Sequence, residues 1–141
     1  MLIRQLSVFL ENKQGRFTQV AKLLGQEGIN MTAFSVSENA DFGILRLIVD
    51  DPDRAFEVLR RHKYAVTEVD VLRLCCPNRP GALGRLMDIV TQAGIFIEYM
   101  YAFSGERSGH VIIRPDNLEE CVEVLNEHQS ELTSISELYE L

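Results

Sequence analysis

The chain has 141 residues, of which 46% are hydrophobic and 25% are charged, a composition typical of a globular protein with one or two small domains. Its formal net charge of -7 argues against a nucleic-acid or anionic-membrane partner, because both are bound by basic patches. No apolar run approaches the roughly 20 residues of a transmembrane helix, the first residues lack a signal-peptide pattern, and the three cysteines make no disulfide framework, so we expect a cytoplasmic protein.

The first half of the chain predicts strands that alternate with helices. Phe17, Val20 and Leu24 recur at the spacing of one helical face. A glycine follows that helix where helices commonly end, and an Asp-Pro pair begins the next one. The expected elements are a strand at Leu6–Leu10, a helix at Gly15–Gln26, a hairpin of Ile29–Val36 and Phe42–Val49, a helix from Pro52 to about His62, and a strand at Ala65–Leu72.

The second half repeats the first. A shift of 66 residues aligns the two halves without a gap and matches Asn12 with Asn78, Gly15 with Gly81, Gly28 with Gly94, Gly43 with Gly109, Asp50 with Asp116, and His62 with His128. Such a long ungapped register indicates an internal duplication. We therefore predict two domains, residues 1–70 and 71–141.

Each copy is expected to have the order β-α-β-β-α-β. Right-handed crossovers then place both helices on one face of an antiparallel sheet, as in α+β ferredoxin-like folds. In the second copy the closing strand is predicted at Leu132–Leu138. No Pro/Gly/Ser-rich linker separates the copies, because Ala65–Leu72 runs into the next predicted strand at Val71–Cys76.

Two loops stand at the same point of each copy, between the first strand and the first helix. The second loop reads Asn78-Arg79-Pro80-Gly81, and the first reads Asn12-Lys13-Gln14-Gly15. Proline suits the first turn of a helix, and glycine allows another group to approach the backbone closely. A helix start also leaves N–H groups and a positive dipole end, which favour an anion such as a carboxylate.

These motifs resemble those of the ACT domain, a family of small regulatory domains that bind amino acids and related ligands. The resemblance rests on the duplicated βαββαβ order, on Pro77-Asn78-Arg79-Pro80-Gly81-Ala82-Leu83, on the weaker Glu11-Asn12-Lys13-Gln14-Gly15-Arg16-Phe17, and on Gly-Ile after each first helix. It covers nearly the whole chain. It implies two ferredoxin-like ACT repeats that bind a ligand between paired domains.

The resemblance also implies ligand-binding positions. In serine-responsive ACT domains of phosphoglycerate dehydrogenases, one asparagine lies in the loop and another follows the helix. Asn12 and Asn30 match these positions in the first copy, whereas the second copy has Asn78 and Phe96. An amide pair suits a zwitterionic amino acid, and Phe96 would offer an apolar wall. The predicted ligand-binding residues are Asn12, Gly15, Arg16, Phe17, Asn30, Asn78, Arg79, Pro80, Gly81, Ala82, Leu83 and Phe96.

Several of these residues also have a structural explanation. Asn30 would be a polar residue on the outer face of the sheet. Asn12 and Asn78 would order their loops through turns or caps, Arg79 would be a solvated loop arginine, and the phenylalanines would belong to the core. A hybrid site, with the loop of one copy and the strand of the other, fits equally well.

The favoured hypothesis is a non-catalytic sensor of an amino acid that forms a homodimer and acts on a metabolic enzyme in trans. The sequence contains no nucleophile beside a base, no phosphate-binding loop and no dinucleotide fingerprint, so we expect no enzyme activity and no cofactor. One alternative is a structural dimerisation module without a ligand. Another is a metal carrier that uses Cys75 or Cys76, although adjacent strand residues point to opposite faces and share no ion.

Overall fold

The structure, a computed structural model, describes residues 1–11, 13–38, 41–104 and 109–139, and only the backbone of residues 136–139. Within these residues the elements are β1 (Leu2–Glu11), α1 (Arg16–Gln26), β2 (Met31–Glu38), β3 (Phe42–Val49), α2 (Pro52–Arg61), β4 (Ala65–Cys76), α3 (Ala82–Gln92), β5 (Ile97–Ser104), β6 (Gly109–Pro115), α4 (Leu118–Glu127) and α5 (Gln129–Tyr139). The first copy thus has the expected order, and its β3 has the predicted bounds.

The chain divides into two compact units. Arg4–Asp70 forms one, here called the N-terminal unit, and Val71–Leu141 together with Met1–Ile3 forms the other, the C-terminal unit. In the N-terminal unit the strand order is β2-β3-β1-β4, with antiparallel pairs between β1 and β3 and between β2 and β3. This is the sheet of a ferredoxin-like repeat.

Local sequence signals set the helix ends of the N-terminal unit. Gly15 precedes α1 with a φ of 84°, and Gly28 follows it with a φ of 72°, a left-handed conformation that glycine adopts at little cost. Asp51 caps α2, because its side chain accepts a hydrogen bond from the Arg54 N–H at 3.2 Å. Both helices therefore begin and end close to where the sequence predicts.

The core of the N-terminal unit lies between one sheet face and the two helices. The strands contribute alternate side chains, such as Leu6, Val8 and Leu10 of β1. The buried members are Leu6, Val8, Leu10, Val20, Leu24, Ile29, Leu45, Leu47, Val49, Ala55, Val58 and Leu59. Each fully buried large aliphatic side chain contributes about 1.5–3 kcal/mol relative to an exposed one, so this layer fixes α1 and its preceding loop.

The C-terminal unit repeats this arrangement with β4, β6 and β5 in that order. Cys76 lies opposite Gly109 at the loop end of the β4–β6 pair, and Ser104 lies opposite Gly109 in the β5–β6 pair. The buried core members are Leu72, Leu74, Cys76, Ala82, Leu86, Ile89, Val90, Ile95, Val111, Ile113, Cys121 and Leu125. The register brings the ends of three strands to the loop before α3.

The predicted closing strand at Leu132–Leu138 is wrong, because this segment lies in helix α5. Leu132 and Ile135 share one helical face and pack against the core of the C-terminal unit. Met1–Ile3 belongs to that unit instead, where the Arg73 N–H donates to the Met1 carbonyl oxygen at 2.7 Å. In the C-terminal unit, the second half of β4 therefore pairs with the beginning of β1 and not with a closing strand of its own copy.

Candidate functional site

The loop between β4 and α3 is tightly folded. The Arg79 N–H donates to the Pro77 carbonyl oxygen at 2.9 Å, and the Ala82 N–H donates to the Arg79 carbonyl oxygen at 3.2 Å. Gly81 precedes α3 with a φ of 87° and no side chain caps the helix. The sequence suggested several outward-facing N–H groups here, but these two are engaged within the loop itself.

A cavity of about 260 Å³ adjoins this loop, and we call it the loop cavity. Its volume is slightly below the 300–1,000 Å³ of pockets for drug-sized ligands, and so fits a smaller metabolite. It is bounded by the loop, by the beginning of α3 and by the paired ends of β5 and β6. The lining residues are Cys76, Pro77, Asn78, Arg79, Leu83, Ala102, Phe103, Ser104, Gly109, His110 and Val111.

Four polar side chains line the loop cavity together with an aromatic pair. Asn78 and Arg79 come from the loop, Ser104 ends β5, and His110 lies near the start of β6. The rings of Phe103 and His110 stack with centroids 5.0 Å apart and an interplanar angle of 26°. Residues that carry a guanidinium, an amide and a hydroxyl therefore line the cavity. The ring pair lies on the face of the sheet that carries Cys75, because Cys75 and Phe103 are both opposite His110.

Neither loop side chain is committed to the fold. Among the described residues, the Asn78 amide makes no hydrogen bond and the Arg79 guanidinium makes no ion pair. Asn78 does not cap α3, so a role as a helix cap does not explain this asparagine. Both polar groups remain available to a molecule in the cavity.

The remaining predicted residues of this loop have structural positions. Pro80 is exposed, Gly81 supplies the left-handed turn, and Ala82 is fully buried in the core. Leu83 is 44% exposed and lines the loop cavity. Of the predicted set, Asn78, Arg79 and Leu83 thus share one cavity.

Phe103, Ser104 and His110 line the cavity but are not among the residues predicted from the sequence. These residues reach the cavity through the antiparallel register of β4, β5 and β6, which no local pattern specifies. One signal was available, because Gly43 and Gly109 match in the repeat and mark the same strand start. Residues beside Gly109 could have been assigned to the loop end of the sheet on that ground.

In the N-terminal unit, side chains in and beside the corresponding loop contact one another. Asn12 lies outside the described residues. The Glu11 carboxylate forms an ion pair with the Lys13 ammonium at 2.9 Å and another with the Arg16 guanidinium at 3.1 Å. Hydrogen bonds from these two cations, Lys13 first, hold the pKa of the Glu11 carboxyl below its usual range. The ring of Phe17 contacts that of Phe34 in a tilted arrangement, with centroids 5.7 Å apart and an interplanar angle of 38°.

Asn30 and Phe96 lie at the opposite end of their sheets from the loops. In the N-terminal unit Glu11 is opposite Phe42 whereas Met31 is opposite Val49, a separation of roughly 20 Å along β3. The C-terminal unit has the same arrangement, and Phe96 is 67% exposed. Neither unit by itself brings the post-helix residue to its loop, so the ligand roles of Asn30 and Phe96 stay predictions.

A family model described as an ACT domain pair matches residues 1–141. The chain belongs to the ACT domain pair family. The expected α+β fold of two ferredoxin-like repeats is confirmed by this match and by the fold of solved structures. A search of the curated proteins found none that matches this sequence.

Several solved structures resemble this ACT domain pair. Protein BT0572 from Bacteroides thetaiotaomicron is 49% identical, with a TM-score of 0.86 over 92% of this chain and 90% of that chain. The regulatory subunit of aspartate kinase from Thermus thermophilus is 14% identical, with a TM-score of 0.64 over 90% of this chain and 96% of that chain. The same subunit from Thermus flavus is 14% identical, with a TM-score of 0.61 over 99% and 95%.

The cysteines of this ACT domain pair lie in different environments. Cys75 is exposed and Cys76 is buried, so the two side chains point to opposite faces of β4 as predicted. Burial raises the pKa of the Cys76 thiol, and burial beside Asp116 and Glu120 raises the pKa of Cys121 to about 11. Across the described ranges, no three potential metal ligands form a group that could hold an ion.

No helix in the described part of the chain is long and apolar enough to cross a membrane.

Proposed function

We propose that this ACT domain pair is a non-catalytic regulatory protein that binds a small amino acid or a related carboxylate. The loop cavity carries the proposal, because it joins the ACT loop motif to polar groups that no described residue engages. Family membership supports it, since the match covers residues 1–141. We further propose that residues 1–70 and 71–141 are its two domains.

The lining residues suggest how an amino acid would be held. Arg79 would bind the α-carboxylate through charge-assisted hydrogen bonds. The side-chain oxygens of Asn78 and Ser104 would accept hydrogen bonds from the α-amino group. Leu83 and Ala102, which also line the cavity, would contact the apolar part of the ligand. Such a division between a few polar groups and an apolar wall is typical of small-molecule sites.

The regulated target would be a separate metabolic enzyme. A ligand shifts an equilibrium only through different affinities for two states, so binding at the loop cavity would alter a surface that the partner contacts. We also propose a homodimer. In the N-terminal unit β2 pairs with one strand only and exposes Phe34 and Val36, and an apolar edge strand favours pairing with another chain. Three unpaired cysteines fit a reducing compartment such as the cytoplasm.

A thermal-shift screen of the common amino acids at millimolar concentration tests the proposal. At about 100 times the Kd, a ligand stabilises the folded state by about 2.7 kcal/mol, which raises the Tm by on the order of 10 °C for a domain of this size. Asn78→Ala should reduce the shift. Asn126→Ala, at an exposed position on α4, is the matched control and should leave the shift unchanged.

The exposed apolar side chains of β2 also favour a second candidate, a dimerisation module with no ligand. The two candidates differ in the screen and not in oligomeric state, because both predict a dimer. If no amino acid changes the Tm while sedimentation shows a stable dimer, the dimerisation module is the better description.

A further inference from the structure

The two loops of the repeat differ in their charges, and one difference is a carboxylate that only the first loop has. A shift of 66 residues places Pro77 over Glu11 and Arg79 over Lys13. The N-terminal loop therefore has a cation with an acidic partner two residues before it. The C-terminal loop has a cation at the same position with a proline where the acid would be.

The charges of the N-terminal loop are balanced internally. Glu11 lies 2.9 Å from the Lys13 ammonium and 3.1 Å from the Arg16 guanidinium. Because the three residues lie close together in sequence, this carboxylate is present at a high effective concentration. A free carboxylate at millimolar concentration must displace it before it can pair with either cation.

In the C-terminal loop the cation is not balanced by a described carboxylate. Arg79 forms no ion pair with a described residue, and Pro77 is buried and carries no charge. Ala82 replaces Arg16 at the start of the helix and is buried. Arg79 lines the loop cavity, and no carboxylate of the described residues (1–11, 13–38, 41–104 and 109–135) pairs with its guanidinium.

The apolar side chains beside the two loops also differ. Phe17 and Phe34 form a tilted ring contact beside the N-terminal loop. Leu83 and Met100 occupy the matching positions of the C-terminal unit and are both partly exposed. The aromatic pair of the first copy is thus replaced by two aliphatic side chains in the second.

We propose that Glu11 is a built-in substitute for the ligand carboxylate in the first copy, and that the chain binds its carboxylate ligand at the second copy alone. The ligand carboxylate then occupies, beside Arg79, the place that Glu11 occupies beside Lys13. This inference rests on the proposed function and specifies which of the two duplicated loops performs it.

Isothermal titration calorimetry on the full chain tests this assignment. The probes are the common amino acids and their carboxamides, in which a neutral amide replaces the carboxylate. We expect one site per chain for an amino acid that binds and no binding by its carboxamide. Arg79→Met and Lys13→Met form a matched pair at equivalent positions. Arg79→Met should weaken binding by about tenfold or more, and Lys13→Met should change the Kd by less than about twofold.

Glu11→Gln tests the role of the internal carboxylate. This variant frees the two cations of the N-terminal loop and should add a second site, so that the stoichiometry rises to two per chain. Glu11 and Lys13 are exposed at the surface, so their variants are expected to fold.

The outcomes separate this inference from the proposed function. Two sites in the unaltered chain, or a site that is lost in Lys13→Met and kept in Arg79→Met, would overturn the inference and leave amino-acid binding intact. An unchanged stoichiometry in Glu11→Gln would overturn the role of Glu11. The absence of binding by every probe would overturn the inference and the proposed function together.

Discussion

Gly109 lies so close to Cys76 across the β4–β6 pair that a Cβ atom on Gly109 would overlap the Cys76 carbonyl oxygen. The same Cβ would lie 3.9 Å from the Asn78 backbone nitrogen. The missing side chain at residue 109 therefore allows β6 to approach the first residues of the loop. Cys76, Asn78 and Gly109 all line the loop cavity, so this close approach is part of its wall.

Replacement of Gly109 by alanine should destabilise the protein and deform the cavity. Strand β6 must move away from a backbone atom that cannot rotate aside, and overpacking of this kind costs about 1–3 kcal/mol. Chemical denaturation monitored by circular dichroism gives the free energy of unfolding. Amino-acid binding should weaken in parallel, because Asn78 and His110 would separate.

Gly43→Ala is the matched control for Gly109→Ala. Gly43 has the same place in the first copy, but its nearest neighbour for a Cβ is the Ser37 carbonyl oxygen at 3.6 Å, an ordinary contact. We expect a cost well below that of Gly109→Ala. Equal costs for the two variants would contradict the close approach at Cys76.

The start of α3 offers a second prediction, from two glycines close together in sequence. Gly81 has a φ of 87°, which an L-residue adopts at a cost of about 1–2 kcal/mol. Gly84 lies within the helix with nothing within 4 Å of its Cβ position, and alanine there should stabilise by about 0.5–1 kcal/mol. Urea denaturation should thus give changes of opposite sign for Gly81→Ala and Gly84→Ala, and the same sign for both would count against this loop geometry.

The third prediction concerns pH and Glu11. Its pKa in the folded state is lowered, mainly by the hydrogen bond from Lys13 and then by that from Arg16. A lowered pKa means that the ion pairs stabilise the fold above the ordinary glutamate pKa of about 4.3. This stabilisation is lost as the pH falls through the lower, folded-state value.

NMR titration of the side-chain carboxyl carbons measures this pKa directly. Lys13→Met and Arg16→Met should each move the Glu11 pKa back toward the ordinary value. The stability difference between the unaltered chain and Glu11→Gln should shrink as the pH falls below that value. A Glu11 pKa that does not respond to either substitution would show that the ion pairs do not form in solution.

The fourth prediction concerns the thiols. Cys121 is fully buried and its pKa is raised to about 11, so almost none of it is thiolate near neutral pH. Cys75 is exposed. Alkylation with iodoacetamide at pH 8, followed by mass spectrometry, should modify Cys75 first and Cys121 only after unfolding. Rapid labelling of Cys121 in the folded protein would contradict its burial.

Local sequence patterns predicted most of the first copy and the repeat. Alternation in β3, the glycine after α1 and the Asp51 cap are signals that act within a few residues, so they could be identified without the structure. The second copy was predicted by analogy with the first, and that analogy failed at its last element. Leu132 and Ile135 have helical spacing, but the repeat suggested a strand.

The site was predictable to the extent that it depends on the loop. Asn78, Arg79 and Leu83 were identified from the motif and line one cavity. Phe103, Ser104 and His110 were not, because they enter through strand register, which depends on pairings between residues far apart in sequence. The ion pairs of Glu11 could not be predicted either, because the sequence shows an acid near two cations but does not show which of these side chains form contacts.

The hydrogen bond between Arg73 and Met1 has a consequence for the order in which the protein assembles. The ribosome makes residues 1–3 long before it makes the strand with which they pair. Two segments about half the chain apart must therefore meet before the C-terminal unit is complete, and such distant pairings slow folding. The strand that contains Arg73 is thus completed by a segment synthesised about 70 residues before it.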